Sequence, residues 1–364
     1  MPLPPPALSL LLLLSACGDK SAAADDAADT DTDTDTDTDS DTDTDTDTDS
    51  GTDSGTDSGT DSGTDSGTDS GTDSGTDSGD PGPVDYAYAS AFGDAGEGQL
   101  AGPRCVAVGP SGDLFVADAD HDRVVRFTPS GAFVAALGTT GEGMLAGAKC
   151  LSFAPDGSLW VADLEHDRVV QLAEDGSFLQ AWGSSGAGVG ELHTPYGVAV
   201  ATDGTVYVSD YGNDRVQVFD AHGAWLRGWG STGTADGSFQ SPSGITLGPD
   251  GRLYVADTLN DRLQVFETDG TWVTTWGSSG AAAGQLDDPH QLFFDRHGDL
   301  LIADQNNNRV DKWSGAGSPI TTLGEASGPG RLAAPFGACA TADDRVFVGD
   351  FRNDRVAVFA PTGG

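Results

Sequence analysis

One stretch of fourteen residues recurs six times in this chain, and it constrains the fold more than any other feature. The copies are "LFVADADHDRVVRF", "LWVADLEHDRVVQL", "VYVSDYGNDRVQVF", "LYVADTLNDRLQVF", "LLIADQNNNRVDKW" and "VFVGDFRNDRVAVF". Their aspartates are Asp118, Asp163, Asp210, Asp257, Asp304 and Asp350, spaced 45, 47, 47, 47 and 46 residues apart. Arginines five residues later, Arg123, Arg168, Arg215, Arg262, Arg309 and Arg355, keep the same spacing. A period of this size marks a supersecondary unit that cannot bury its apolar face alone and must stack on its neighbours.

Each unit holds four short apolar runs separated by turn residues. In the fourth unit these are "GITLG", "RLYVAD", "RLQVF" and "TWVTTWG", joined by "PDG", "TLND" and "TDG". Four hairpin-linked strands per repeat make one antiparallel blade, and runs apolar on both faces need cover on both faces. Six such blades predict an all-β, six-bladed propeller over residues 86–364. The sixth unit ends at "RVAVFAPTGG" with no fourth strand, whereas the domain opens on "YAYASAFG", which has fourth-strand character and no strands before it. The N-terminal segment is therefore expected to supply the outer strand of the last blade and remove an open edge.

The order Pro-x-Gly, "DG", "YVAD", "NDRVQVF", "DG", "WG" resembles the NHL-repeat family of six-bladed propellers across nearly all of residues 86–364. The resemblance implies fold more than function. Relatives include parts of ubiquitin ligases, RNA-binding regulators, an amidating lyase and bacterial surface proteins, so activity must be argued from a site.

The region before the propeller has a different character. Leu8–Leu14 is too short an apolar run to span a bilayer and is followed by small residues, as in an export signal. "LSAC", Leu14 to Cys17, resembles the lipobox of bacterial lipoproteins. That resemblance implies cleavage after residue 16 and attachment of acyl chains, palmitate among them, at Cys17. The n-region departs from the pattern, having no Lys or Arg. Residues 17–85 follow as Asp-Thr and "GTDS" repeats, with almost nothing apolar to offset chain entropy, and are expected to be a disordered tether. Residues 18–85 carry 23 acids and one Lys, or −22 of the chain's −41, which leaves −19 for the remainder. The whole predicts a lipoprotein of the cell envelope, anchored in the outer membrane or at the cell surface through its lipid.

Within the propeller, the Asp-Gly and Ser-Gly turns of one face are regular and geometric, whereas the loops of the other face vary from blade to blade. Binding usually lives on such loops. Two rings on this upper face are candidates. The residues after the crossing proline or its equivalent are Arg104, Lys149, Tyr196, Ser243, His290 and Phe336. The hairpins between strands two and three offer Tyr211, Asn213, Phe351 and Arg352. This aromatic, amide and cationic mouth suits a protein, peptide, glycan or small anion. A bare structural module with an unused channel is the bland alternative.

The sixfold Asp/Arg pair is expected to be a structural brace, because a catalytic site is one asymmetric place. The rival reading is a lyase or hydrolase with zinc or calcium at the channel mouth, drawing on His121, His166, His193 and His290. No local ligand spacing supports it, and neither a cofactor nor a catalytic residue is assigned. Cys105 and Cys150 occupy one column of adjacent repeats, and export makes a disulfide between them plausible. The acidic domain disfavours nucleic acid, which needs a basic field. A monomeric propeller presenting its upper face as a binding scaffold is the reading that results.

Overall fold

The computed structural model describes residues 85–362. Six four-stranded antiparallel sheets are present. In each, the first strand lines the axis: Pro103–Val108, Ala148–Phe153, Pro195–Val200, Pro242–Leu247, Pro289–Phe294 and Pro335–Ala340 in blades one to six. The second strands are buried along their whole length, as Leu253–Asp257 illustrates. Among the described residues no helix is long and apolar enough to cross a membrane. The signal segment, Cys17 and nearly all of the acidic tract lie outside the described residues.

Burial explains why the apolar runs lack a polar face. Six clusters of buried side chains occur, one at each seam between blades. At the seam of blades four and five, for example, Tyr254, Ala256 and Leu263 pack against Leu292, Leu300 and Trp313. No blade has a core of its own, so the ring is the unit that buries apolar surface.

The ring closes as the repeat pattern predicts. Strand Tyr86–Phe92 pairs antiparallel with Arg355–Pro361, with Tyr86 opposite Pro361 and Phe92 opposite Val356. It is the outer strand of blade six. Phe92 reaches forward to Phe127 of blade one (ring centroids 5.0 Å), and Tyr88 packs on Phe359 (6.1 Å). Tyr86 reaches back to the buried Lys312 of blade five, which also binds Asp295 at 2.8 Å and Asp299 at 3.2 Å.

A second closure device repeats at every seam. The hairpin between strands two and three ends on a residue with positive φ: Asp122, Asp167, Asp214, Asp261, Asn308 and Asp354, at 49° to 54°. Short Asp and Asn side chains tolerate this left-handed conformation. Each side-chain oxygen accepts a backbone N–H from the following blade: Gly147, Thr194, Ser241, Asp288 and Ala334, at 2.7 to 3.0 Å. Asp354 accepts from Gly102 at 2.9 Å and so completes the circle between blades six and one.

Candidate functional site

The repeated Asp/Arg pair is built the same way six times. All six aspartates have no solvent exposure. Arg Nε donates to Asp Oδ2 at 2.6 to 2.9 Å in every blade. In blade four, Oδ1 of Asp257 accepts the N–H of Gln240 at 2.8 Å, and Oδ2 also accepts from Asn260 and Gln264. Arg262 Nη2 then donates to the carbonyls of Ala235 and Ser238. The carboxylate thus ties the hairpin to the crossing loop that feeds the inner strand. Burial pushes its pKa up against these donors. All its capacity is consumed by the scaffold.

The histidines offered as metal candidates take separate partners. His121 Nδ1 lies 3.0 Å from Asp118, and His166 Nδ1 lies 2.8 Å from Asp163. They occupy the place that Asn213, Asn260, Asn307 and Asn353 take in the other blades, bonding the brace carboxylate. His193 is largely exposed beside Asp167 at 3.9 Å. His290 is buried elsewhere, bonded to Gln305. Among the described residues no group of three or more His, Cys, Asp or Glu is placed to hold a metal ion.

Blade five departs from the brace pattern. Asp311 stands where blades three and four have Gln217 and Gln264, whose amides donate to the brace carboxylate at 3.0 Å. Arg309 Nε therefore meets two buried carboxyls, Asp304 and Asp311, each at 2.9 Å. Desolvation raises both pKa values; the Asp304 carboxyl beside it pushes Asp311 further, up to about 8, whereas the hydrogen bond from Asp311 lowers that of Asp304. The pair holds a proton that the unfolded chain releases in the ordinary carboxylate range. The native state thus binds more protons, and stability falls as pH rises from that range toward the raised value. Asp311→Gln should restore the arrangement of blades three and four. Its stabilisation in urea titrations should be small near pH 4 and grow toward pH 9; a pH-independent difference would contradict the shared proton.

The ring after the crossing proline behaves differently from the expected open rim. Arg104, Tyr196, Ser243, His290 and Phe336 are buried, and Lys149 is half-buried. Four of these side chains meet one another on the axis. Arg104 Nη1 donates to the Tyr196 hydroxyl at 3.3 Å. Tyr196 stacks on His290 with centroids 5.5 Å apart, and His290 packs on Phe336 at 4.3 Å. The guanidinium lies 4.2 Å from the Phe336 ring and 4.8 Å from Phe351. Tyr211 stacks on Tyr196 from the hairpin above. One cation and several aromatic rings therefore gather at the mouth as a plug. Ser243 instead bonds Thr258 at 2.5 Å and the Pro289 carbonyl at the seam of blades four and five. Tyr211, Asn213 and Phe351 are half-buried around the plug, and Arg352 is exposed. Asn213 donates to Asp210 and to the Gly186 carbonyl, so its amide serves the brace.

One layer deeper, the inner strands carry Cys105, Cys150, Gly197, Gly244, Gln291 and Gly337. Cys105 and Cys150 form a disulfide between blades one and two, with Cα atoms 4.9 Å apart. Cys339 is a buried free thiol. A Cβ on Gly244 would run into the His290 carbonyl, and one on Gly337 into the Gln291 amide, so the glycines permit close approach. Gln291, which the sequence reading passed over, crosses from blade five to blade one. Its amide bonds the N–H of Val106 at 3.1 Å and the carbonyl of Val106 at 3.0 Å. The available signal was a lone amide in a column of glycines and cysteines. Towards the opposite face the axis widens into a cavity of about 220 Å³, lined by residues such as Leu151, Phe153, Ile245, Leu247, Leu292 and Phe294.

The NHL repeat model matches residues 100–127, 192–219 and 239–266, each running from the crossing loop to the end of the third strand. No curated protein matches the sequence. Among solved structures, an auxiliary nutrient binding protein from Bacteroides ovatus is similar at a TM-score of 0.58 and 15% identity, over 77% of this chain and 78% of that one. A protein of the same description from Bacteroides thetaiotaomicron gives 0.56 and 14%, over 72% and 69%. Virginiamycin B lyase from Staphylococcus aureus, solved with quinupristin, gives 0.54 and 14%, over 76% and 99%. At these identities the similarity shows a shared architecture. The matched segments contain the brace hairpins and crossing loops that hold every blade, and on that ground this chain is a six-bladed β-propeller protein carrying NHL repeats.

Proposed function

We propose that this protein is an exported, lipid-anchored component of the cell envelope whose propeller is a binding scaffold working through its upper face, with residues 17–85 as its tether. The observation that carries this reading is the axial plug. The repeat braces occupy the six brace carboxylates together with His121, His166 and the asparagines of the same column, whereas Arg104 and the aromatic rings around it form a non-repeating cluster on that face. Aromatic side chains and Arg are the groups most often found at binding hot spots. The nutrient-binding proteins of the same architecture support a binding role, and the "LSAC" sequence supports the anchor.

Two measurements test it. Wild-type protein should sediment with membranes, and the Cys17→Ala chain should remain soluble; equal partitioning would remove the anchor. The soluble chain should capture an envelope peptide or glycan, and a combined Tyr211→Ala, Phe351→Ala, Arg352→Glu variant should lose capture by at least about tenfold, the loss of one hot spot. An Arg252→Glu control on the opposite face should not. Equal capture by all three would overturn the upper-face assignment.

A further inference from the structure

The plug contains two buried polar atoms whose hydrogen-bonding capacity the protein leaves unused. Arg104 is 8% exposed and His290 is 5% exposed. Arg104 Nε and His290 Nδ1 have no hydrogen-bond partner. Buried polar groups are normally satisfied, and a buried guanidinium normally meets a carboxylate. The six brace arginines follow that rule at 2.6 to 2.9 Å. Arg104 instead has aromatic faces and one hydroxyl, and among the described residues it forms no ion pair. In a protein this rich in acid, a buried cation lacking a carboxylate is the notable exception.

The two atoms ask for opposite chemistry. Arg104 Nε is a donor and needs an acceptor. His290 Nε2 lies 2.6 Å from Gln305 Oε1, an acceptor, so as the amide is placed Nε2 carries the proton and Nδ1 is left as an acceptor. Burial, together with the charges of Arg104 and Lys149, holds His290 neutral, with its pKa down to about 3. The same two cations disfavour a ligand ammonium beside Nδ1, so a hydroxyl is the donor that fits. Aromatic rings flank the polar atoms: Phe336 contacts both Arg104 and His290, and Tyr196 joins them from the other side.

We infer that the axis of the upper face binds a small hydroxycarboxylate, its carboxylate on Arg104 and its hydroxyl donating to His290 Nδ1. This deepens, and rests on, the reading of that face as a binding surface. The guanidinium fork suits a planar carboxylate, and the flanking rings exclude water and strengthen the contact.

The test uses the full chain carrying Cys17→Ala, with lactate, propionate and lactamide as probes. ¹⁵N-histidine NMR reports on the six histidines directly. Lactate should move the His290 Nδ1 resonance saturably and raise the melting temperature. Propionate, which lacks the hydroxyl, should bind about tenfold more weakly, the worth of one buried hydrogen bond, and lactamide should not bind. Arg104→Lys keeps the positive charge but lacks the fork, and should lose most lactate affinity. Lactamide binding as well as lactate, propionate equalling lactate, Arg104→Lys binding as wild type, or no saturable response to any probe would each overturn the inference; the last would assign the two atoms to water. Envelope capture that persists without any carboxylate response overturns this inference alone. A carboxylate response without envelope capture overturns the scaffold reading alone.

Discussion

Deleting residues 85–92 should cost the propeller on the order of 5 kcal/mol or more, since several large aromatic contacts and an entire strand pairing disappear together. The strand pairs along the length of Arg355–Pro361. Phe92 contributes to the seam with blade one, where it meets Phe127 and Phe347. Tyr86 contributes to the seam with blade five, where its hydroxyl and ring face Lys312. One segment therefore supports blade six and both its neighbours. Its loss also bares the edge of Arg355–Pro361, a template for pairing with another chain. Thermal denaturation and sedimentation should show a lower midpoint and association. A peptide spanning residues 85–93, added in excess, should restore the midpoint in part. A truncated chain that stays monomeric and melts like wild type would show that the closing strand adds little.

A single brace aspartate should have an effect nearly as large. Asp257→Ala leaves Arg262 Nε, the Gln264 amide and the Gln240 N–H without their acceptor. Removing one partner of a buried, hydrogen-bonded ion pair typically costs about 3 to 5 kcal/mol, because the remaining charge stays buried. Asp236 provides the internal control. It lies 4.0 Å from the same arginine but is 56% exposed, and Asp236→Ala should cost less than about 1 kcal/mol, as exposed pairs do. Urea titration of the two variants distinguishes brace from surface charge directly. Similar midpoints would mean that the sixfold pair is not what holds the hairpins.

Much of the architecture was legible because the repeat supplies its own alignment. Six copies of one hairpin set the blade number, and the missing fourth strand of the last copy located the closure. The same column reading set Cys105 beside Cys150, and the two are bonded. Where side chains point was harder to read. Arg104, Tyr196, His290 and Phe336 each follow an inner-strand start, and sequence placed them at a rim. That they meet across the axis depends on how closely six strands converge there, which glycines such as Gly244 and Gly337 permit. The aspartate of "NDR" read as a turn residue, yet its carboxylate fastens one blade to the next, as Asn308 does from blade five. His121 and His166 suggested a metal because their chemistry allows one. Comparison with the asparagines in the same column shows the plainer role.

The closing strand also decides how the molecule meets mechanical load. Tension arriving along the chain from the N-terminal side enters the fold at Asp85, whose carbonyl accepts the N–H of Thr362 at 2.8 Å. The first pairing to bear that pull is Tyr86 with Pro361. A propeller entered at an interior blade would spread force through a seam. Here the force falls on the clasp itself, and the Tyr86–Lys312 contact stands one residue behind it as the next resistance. Stretching from that side should release the ring at its fastening before any blade unravels.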